Sequence, residues 1–403
     1  MTTRRRVFVL LTLLLGLAPM SAPLVAQADG PLTFVGHVPL NAKAHGLALR
    51  DNLAYVATEK GLTILDIATP GILSSIDAVG VLQPKLPAFS TTLLKSQAVA
   101  VEGDYAYLAG AYLIVVDISN PALPDPVGKL YIPGGLMDVV VRDNVIYGSS
   151  FAGELYVICA APPRPAGCPA GATEAAPKIA RVIGLPAWAN AGADAVNLTR
   201  LCPPDGTPPC DQPAMTSGNG RGTGVSLAGD RLFAVEWAYG RLYHFEIATN
   251  PLHPRFVSTH YAPYLIKAYA DLDQDVVYML TAFGAVSGLR SVPITTVLDS
   301  LVSSRYTSCP SCKYLKSDFA IDMGDLAIAG NKDVVYAGGK GAGEFHIVDT
   351  VPTLQNEATD PDGIGLHGVG MAHGMAVRTQ GDYVFQAAGV LGLQVHKFPN
   401  LSQ

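Results

Sequence analysis

The sequence predicts an all-β protein, a single seven-bladed β-propeller whose last blade is closed by the N-terminal strand at 32–38. Three observations predict it. A unit of three apolar runs recurs seven times along the 403 residues. Within most copies the first two runs are joined by a two-residue Gly/Asp/Asn turn, the signature of an antiparallel hairpin. The last copy lacks the fourth run that the earlier ones carry, and an orphan run near the N-terminus has the matching pattern.

The cleanest copy is AVAVEGDYAYLAGAYLIVVDISNP at 98–121. Its first run alternates, Gly103-Asp104 makes the turn, and β-branched and aromatic residues fill the next two runs. Other copies lie at 45–70, 138–160, 222–251, 264–294, 325–352 and 373–399. Their turns include Asp51-Asn52, Asp143-Asn144 and Gly229-Asp230. Fourth strands are expected near 72–79, at PVGKLYIPG (126–134), at KIARVIGLP (178–186) and at RFVSTHYAP (255–263). One such unit cannot bury its own apolar faces, so the copies must pack on one another. LTFVGHVP at 32–39 resembles PVGKLYIP, and ring closure by that strand would remove two exposed edges. Tyr55, Tyr107, Tyr147, Tyr278 and Tyr336 recur in the second run, a periodicity that signals packing between blades.

Composition agrees. Apolar residues make up 49% and charged ones 15%, which excludes a disordered chain. The 41 Gly and 30 Pro supply the turns that many short strands need. Residues 1–28 read as a signal peptide: Arg4, Arg5 and Arg6, an apolar run from 7 to 17, and Ala26-Gln27-Ala28 as the cleavage site. The rival reading is a retained N-terminal anchor. Residues 29–403 then form the propeller, with no transmembrane segment. Loss of the leader removes three of 27 basic residues and no acid, leaving 24 against 33 acidic ones. That balance argues against nucleic acid as a partner. The expected location is secreted or cell-surface, or periplasmic if the envelope has an outer membrane.

The six cysteines fall into close pairs, Cys159 with Cys168, Cys202 with Cys210, and Cys309 with Cys312. In an exported chain they read as three disulfides stapling loops. A zinc or redox role for Cys309-Pro-Ser-Cys312 would need a second ligand pair or a helix N-terminus, and neither is apparent.

At YLIVVDISNP (112–121), GLTILDIATP (61–70) and EFHIVDTVP (344–352) the chain resembles the LVIVD-repeat proteins, a β-propeller family of exported or surface proteins of bacteria and archaea. The resemblance spans nearly all of the mature chain. Copies three, four, five and seven depart from it, since YVICA, YHFEIATNP, LRSVPI and LQVHKFP lack the motif's Asp. It implies binding or scaffold domains and carries over no catalytic residues.

Chemistry is sparsely signalled. No G-x-S-x-G, P-loop, H-E-x-x-H or dinucleotide fingerprint is present. Insertions are expected at about 81–94, 160–176, 186–221, 308–317 and 351–370. All but 160–176 are read as connections leading into an innermost strand, and so as opening on one face. Loops lengthened on one face of a rigid scaffold usually bind something, and Trp188 and Arg221 in the longest are candidate contacts. His45 and His373 begin the innermost strands of the first and last copies, and His367 lies nearby. Three imidazoles there would suit Zn²⁺. The acidic runs at 271–275 and 360–363 would suit Ca²⁺, though the first is also a long hairpin turn. The leading expectation is a non-enzymatic module binding a protein or glycan; the alternative is a metal-dependent hydrolase or oxidoreductase at the channel mouth.

Overall fold

The computed structural model describes residues 33–72, 76–82, 96–160, 163, 165–185, 222–237, 240–262, 264–281, 288–298, 313–316, 324–328, 334–338, 345–348, 364–366 and 376–397. The leader at 1–28 lies outside them. Among them no helix is long and apolar enough to cross a membrane.

The orphan run forms β1 (Thr33–Val38). The first copy forms β2 (Ala44–Arg50), β3 (Leu53–Thr58), β4 (Gly61–Asp66) and β5 (Ala78–Val81). The second forms β6 (Ser96–Glu102), β7 (Tyr105–Gly110), β8 (Tyr112–Asp117) and β9 (Asp125–Tyr131). The third forms β10 (Leu136–Arg142), β11 (Val145–Ser150), β12 (Glu154–Cys159) and β13 (Lys178–Gly184). The fourth forms β14 (Gly222–Ala228), β15 (Arg231–Glu236), β16 (Arg241–Glu246) and β17 (Arg255–Tyr261). The fifth forms β18 (Leu265–Asp271), β19 (Val276–Thr281), β20 (Gly288–Pro293) and β21 (Lys313–Lys316). The sixth forms β22 (Gly324–Ile328), β23 (Val334–Gly338), β24 (Phe345–Val348) and β25 (Ile364–Leu366). The seventh supplies β26 (Ala376–Gln380), β27 (Tyr383–Ala387) and β28 (Leu393–Lys397).

Each copy pairs in chain order as one antiparallel sheet, and β1 adds to the last in the order β1-β28-β27-β26, making seven four-stranded sheets among the described residues. The β1 ladder runs from Thr33 opposite Lys397 to Val38 opposite Leu393. The innermost strands β2, β6, β10, β14, β18, β22 and β26 lie side by side in that order, and β26 lies beside β2. The arrangement is a β-propeller. Its core lies between sheets: Tyr55, Ile64, Leu108 and Ile114 join the first to the second, and Val56, Leu65, Phe385 and Val395 join the first to the last.

Local chemistry explains the hairpins. Asp51, Gly103, Asp143, Gly229 and Gly381 open their turns at φ between 52° and 54°. Two-residue hairpin turns need that left-handed backbone to match the twist of the strands, and Gly, Asp and Asn tolerate it. The motif's Asp ends the third strand by accepting a backbone N–H two residues on: Ala68 N to Asp66 at 2.8 Å and Ser119 N to Asp117 at 2.8 Å. In the fourth copy Glu246 takes that place and accepts from Thr249 N at 3.2 Å. The recurrent tyrosines Tyr55, Tyr107, Tyr147 and Tyr278 are fully buried; Tyr147 donates its hydroxyl to Pro251 O at 2.8 Å in the next sheet.

A second repeated device links four of the sheets to their neighbours. The last residue of an innermost strand grips the next hairpin turn. Arg50 donates to Gly103 O. Glu102 accepts from Asp143 N at 2.8 Å and Asn144 N at 2.7 Å. Arg142 donates to Gly229 O and pairs with Asp230 at 2.7 Å. Gln380 donates to Asp51 O at 2.6 Å, joining the last sheet to the first.

The fourth strands approach their neighbours through glycine. A Cβ on Gly80 would stand 2.0 Å from Pro121 O, and one on Gly128 would stand 1.8 Å from Glu174 O. Both contacts are to backbone, so Gly128→Ala must displace the connection between β12 and β13. The variant is expected to unfold about 1–3 kcal/mol more easily in urea.

Three expectations are corrected. The first copy's fourth strand lies at Ala78–Val81 rather than near 72–79. The insertions at 308–317 and 351–370 contain β21 and β25, the fourth strands of their sheets. Part of each therefore joins a third strand to a fourth. In an antiparallel sheet that connection opens on the face opposite the one that leads to an innermost strand. The long connections are thus divided between an upper face, where each sheet hands over to the next, and a lower face, because short outer strands carry too little pattern to be told from loop. The upper face keeps 82–95 and 185–221, and 367–375 also joins a fourth strand to an innermost one.

Cys159 and Cys168 form a disulfide with Cα atoms 6.0 Å apart, which ties the end of β12 to the connection before β13. Cys202, Cys210, Cys309 and Cys312 lie outside the described residues.

Beside the closing strand, His396 is 3% exposed, its ring 5.1 Å from that of Phe34. Burial pushes its pKa down to about 4 from the ordinary 6.5. The depressed value means the unfolded chain binds the proton first as pH falls. Stability present above pH 6.5 is therefore lost between 6.5 and 4, by about 3 kcal/mol from this group. His260, lowered to about 4 by burial and by Arg290, adds in the same window. Urea unfolding at pH 7, 5.5 and 4 should show the loss, and His396→Gln should flatten it.

Candidate functional site

The innermost strands carry a connected group of charged side chains, Asp138 with Lys267 and Asp325 with Arg378. Each of β2, β6, β10, β14 and β18 slips register near its start, so that Gly46, Ala98, Asp138, Gly224 and Lys267 take equivalent places just past a bulge. Bulges re-aim side chains. At this level Asp138 Oδ2 accepts from Val225 N at 2.9 Å and from Lys267 Nζ at 2.6 Å, while Oδ1 accepts from Val139 N at 3.0 Å. Lys267 crosses the fourth sheet to do so. A Cβ on Gly224 would meet its Cδ at 3.1 Å, so glycine clears the path.

The pattern repeats in the sixth and seventh sheets. Asp325 Oδ2 accepts from Val377 N at 3.2 Å and from Arg378 Nη1 at 2.6 Å. Both carboxylates are nearly closed off, with side chains 9% and 7% exposed, whereas Arg378 remains 35% exposed. Burial works to raise the Asp325 pKa, but the Arg378 and Lys267 charges outweigh it and hold the carboxyl below its ordinary range. Burial likewise works against the Arg378 cation, and Asp325 restores it with help from Asp138; Tyr269 lies within the same field. Four charged groups from four sheets thus form one neutral set in the channel.

His45 lies at the start of β2, its Nε2 3.8 Å from Glu59 Oε1, so a carboxylate does stand beside it. Lys43 reaches the same carboxylate at 3.6 Å. His367, His373, Trp188 and Arg221 lie outside the described residues. Among the described residues no three or more His, Cys, Asp or Glu converge as a metal site. The 271–275 run forms a hairpin turn, in which Asp271 accepts from Asp273 N at 2.9 Å and Asp275 from Thr295 N at 3.0 Å. The other acidic run, 360–363, is outside the described residues.

The upper face also exposes Phe151, Tyr264 and Val390. Phe151 and Val390 sit in turns between second and third strands, and Tyr264 immediately precedes β18 at φ 56°. A left-handed backbone is costly for a tyrosine.

The LVIVD repeat family matches residues 42–76 and 95–130, the first and second copies. The chain is an LVIVD-repeat β-propeller protein. No curated protein matches it. Among solved structures, this LVIVD-repeat propeller is similar to the β-propeller domain of Cps50 (Swd1) from Myceliophteria thermophila, with 10% identity over 91% of this chain and 99% of that one and a TM-score of 0.57. The WD40 β-propeller domain of Doa1 aligns at 8% identity over 92% and 96%, with a TM-score of 0.56. The computationally designed Ika8 protein aligns at 12% identity over 91% and 100%, with a TM-score of 0.50. At such identities the likeness concerns the fold alone.

Sequence reasoning missed the channel set. A signal was present: Asp138, Lys267, Asp325 and Arg378 stand inside innermost runs whose other Asp, Glu, Lys and Arg residues occupy the last position of the strand. What hid the pairing was distance along the chain, 129 residues for Asp138 with Lys267 and 53 for Asp325 with Arg378.

Proposed function

We propose that this LVIVD-repeat propeller, each of its seven sheets being one blade, is a non-enzymatic binding or scaffold module. It acts as an exported protein and contacts a protein or glycan through its upper face. The observation that carries this reading is the longest connection between consecutive described strands, from Gly184 to Gly222, which joins a fourth strand to an innermost strand on a scaffold closed by β1. Exposed Phe151, Tyr264 and Val390 on that face support it, since aromatic and apolar groups are common anchors of partner contacts. The strained Tyr264 backbone supports it too, because such strain persists where function holds it.

The test replaces 187–220 with a short Gly-Ser linker. The trimmed chain should unfold at the same urea midpoint yet lose retention on a glycan array, or lose its crosslinks to surface proteins on intact cells. Equal capture by both chains would count against the reading. The alternative, a metal-dependent hydrolase or oxidoreductase using His45, His367 and His373, draws on the Glu59 carboxylate beside His45. Zn²⁺ uptake abolished by His45→Ala would favour it.

A further inference from the structure

We infer that the channel contains a carboxylate-binding site formed by Arg378, Lys267 and Tyr269. The inference rests on what remains after the internal pairs are made. Lys267 Nζ has three donors, and one goes to Asp138. Arg378 Nη1 serves both Asp325 Oδ2 and Val377 O, each at 2.6 Å. Its Nη2 and Nε, and the Tyr269 hydroxyl, have no hydrogen-bond partner among the described residues. The acceptors, by contrast, are largely committed. Both oxygens of Asp138 are engaged, and Asp325 Oδ2 is engaged twice. The set therefore offers surplus donors, and its complement is a group that only accepts.

Placement and exposure favour the same ligand. Lys267 and Tyr269 stand two residues apart on β18, so they share one side of that strand. Arg378 stands on β26 at the register of Tyr269, since each lies two residues before the last residue of its strand. Asp325 holds one edge of the guanidinium and leaves the remaining N–H groups as a planar fork. Such a fork matches the two oxygens of a carboxylate, which a single ammonium does not. Arg378 and Tyr269 are 35% and 38% exposed, so their polar ends reach solvent within the channel. The buried Asp138 and Asp325 fix the two cations in advance, so little reorganisation accompanies binding. They also cancel the cations' charge. An arriving monoanion then leaves one net negative charge and a dianion leaves two, which sets acetate above sulfate.

The experiment uses the full mature chain in a buffer free of carboxylates, with sodium acetate, sodium sulfate and methylammonium chloride as probes at equal ionic strength. Acetate is expected to raise the unfolding temperature saturably, and sulfate and methylammonium to do so less. Removing Arg378 outright would strand Asp325, so the variants chosen are Arg378→Lys, which keeps the charge and loses the fork, and Tyr269→Phe. Arg378→Lys should weaken acetate by about tenfold and Tyr269→Phe by about threefold. Arg142→Gln, in the turn contacts away from the channel, should leave acetate affinity unchanged. The proposal is overturned by an unsaturable acetate response, by stronger binding of sulfate or methylammonium, or by wild-type acetate affinity in both channel variants. It is independent of the partner-binding reading, and either test can fail without the other.

Discussion

Deleting residues 33–38 is expected to destabilise the protein by about 5 kcal/mol and to make it self-associate. The deletion removes the Val35 and Val38 side chains, which pack against the cluster of Phe385, Leu393 and Val395. Partly buried valines contribute about 1–2 kcal/mol each. The five paired positions from Thr33 to Val38 contribute further ladder bonds at about 0.5–1.5 kcal/mol each. What remains is β28 as an open edge, with unpaired backbone groups that recruit any available strand. Urea unfolding would measure the loss, and light scattering the association. A synthetic peptide of residues 31–40 added to the truncated chain should recover part of the midpoint. An unchanged midpoint and a monomeric truncated chain would show that the ring does not depend on this strand.

The second large effect is expected at Asp138. Asp138→Ala strands the Lys267 ammonium, which is 17% exposed, and leaves Val225 N without its acceptor. Breaking one side of a buried pair costs about 3–5 kcal/mol. Asp138→Ala combined with Lys267→Met removes both charges. It should recover about 2 kcal/mol, because the orphaned N–H remains at a cost of about 1–3 kcal/mol. A double-mutant cycle in urea reads both numbers. If the single and double variants unfold alike, the Lys267 contact across Gly224 carries no energy.

The fold was legible wherever the pattern was local. Alternating runs, Gly-Asp and Asp-Asn turns, and the likeness of LTFVGHVP to PVGKLYIP rest on neighbours a few residues apart, and β1 on β28 follows from counting strands. The Cys159–Cys168 staple was legible for the same reason, its ends standing at a sequence separation of 9. Legibility failed in two ways. Outer strands as short as Lys313–Lys316 and Ile364–Leu366 carry no period long enough to recognise, so connections were assigned to the wrong face. The channel set depends on which innermost strands stand within reach of one another, and chain order does not say that a lysine skips a sheet to find its aspartate. Histidine spacing drew attention to His45, whereas the described charges gather around Asp138 and Asp325.

The grips between innermost strands and neighbouring turns have a consequence for how such a chain can change over time. Arg50 presents donors to a carbonyl, whereas Glu102 presents acceptors to two amides. Those ends are not interchangeable. A gene rearrangement that deleted the second copy would set the arginine of the first against amides shaped to meet a carboxylate, and the two would repel. The chain therefore carries a written order for its parts, one that disfavours loss or shuffling of a single unit even where every unit folds alike.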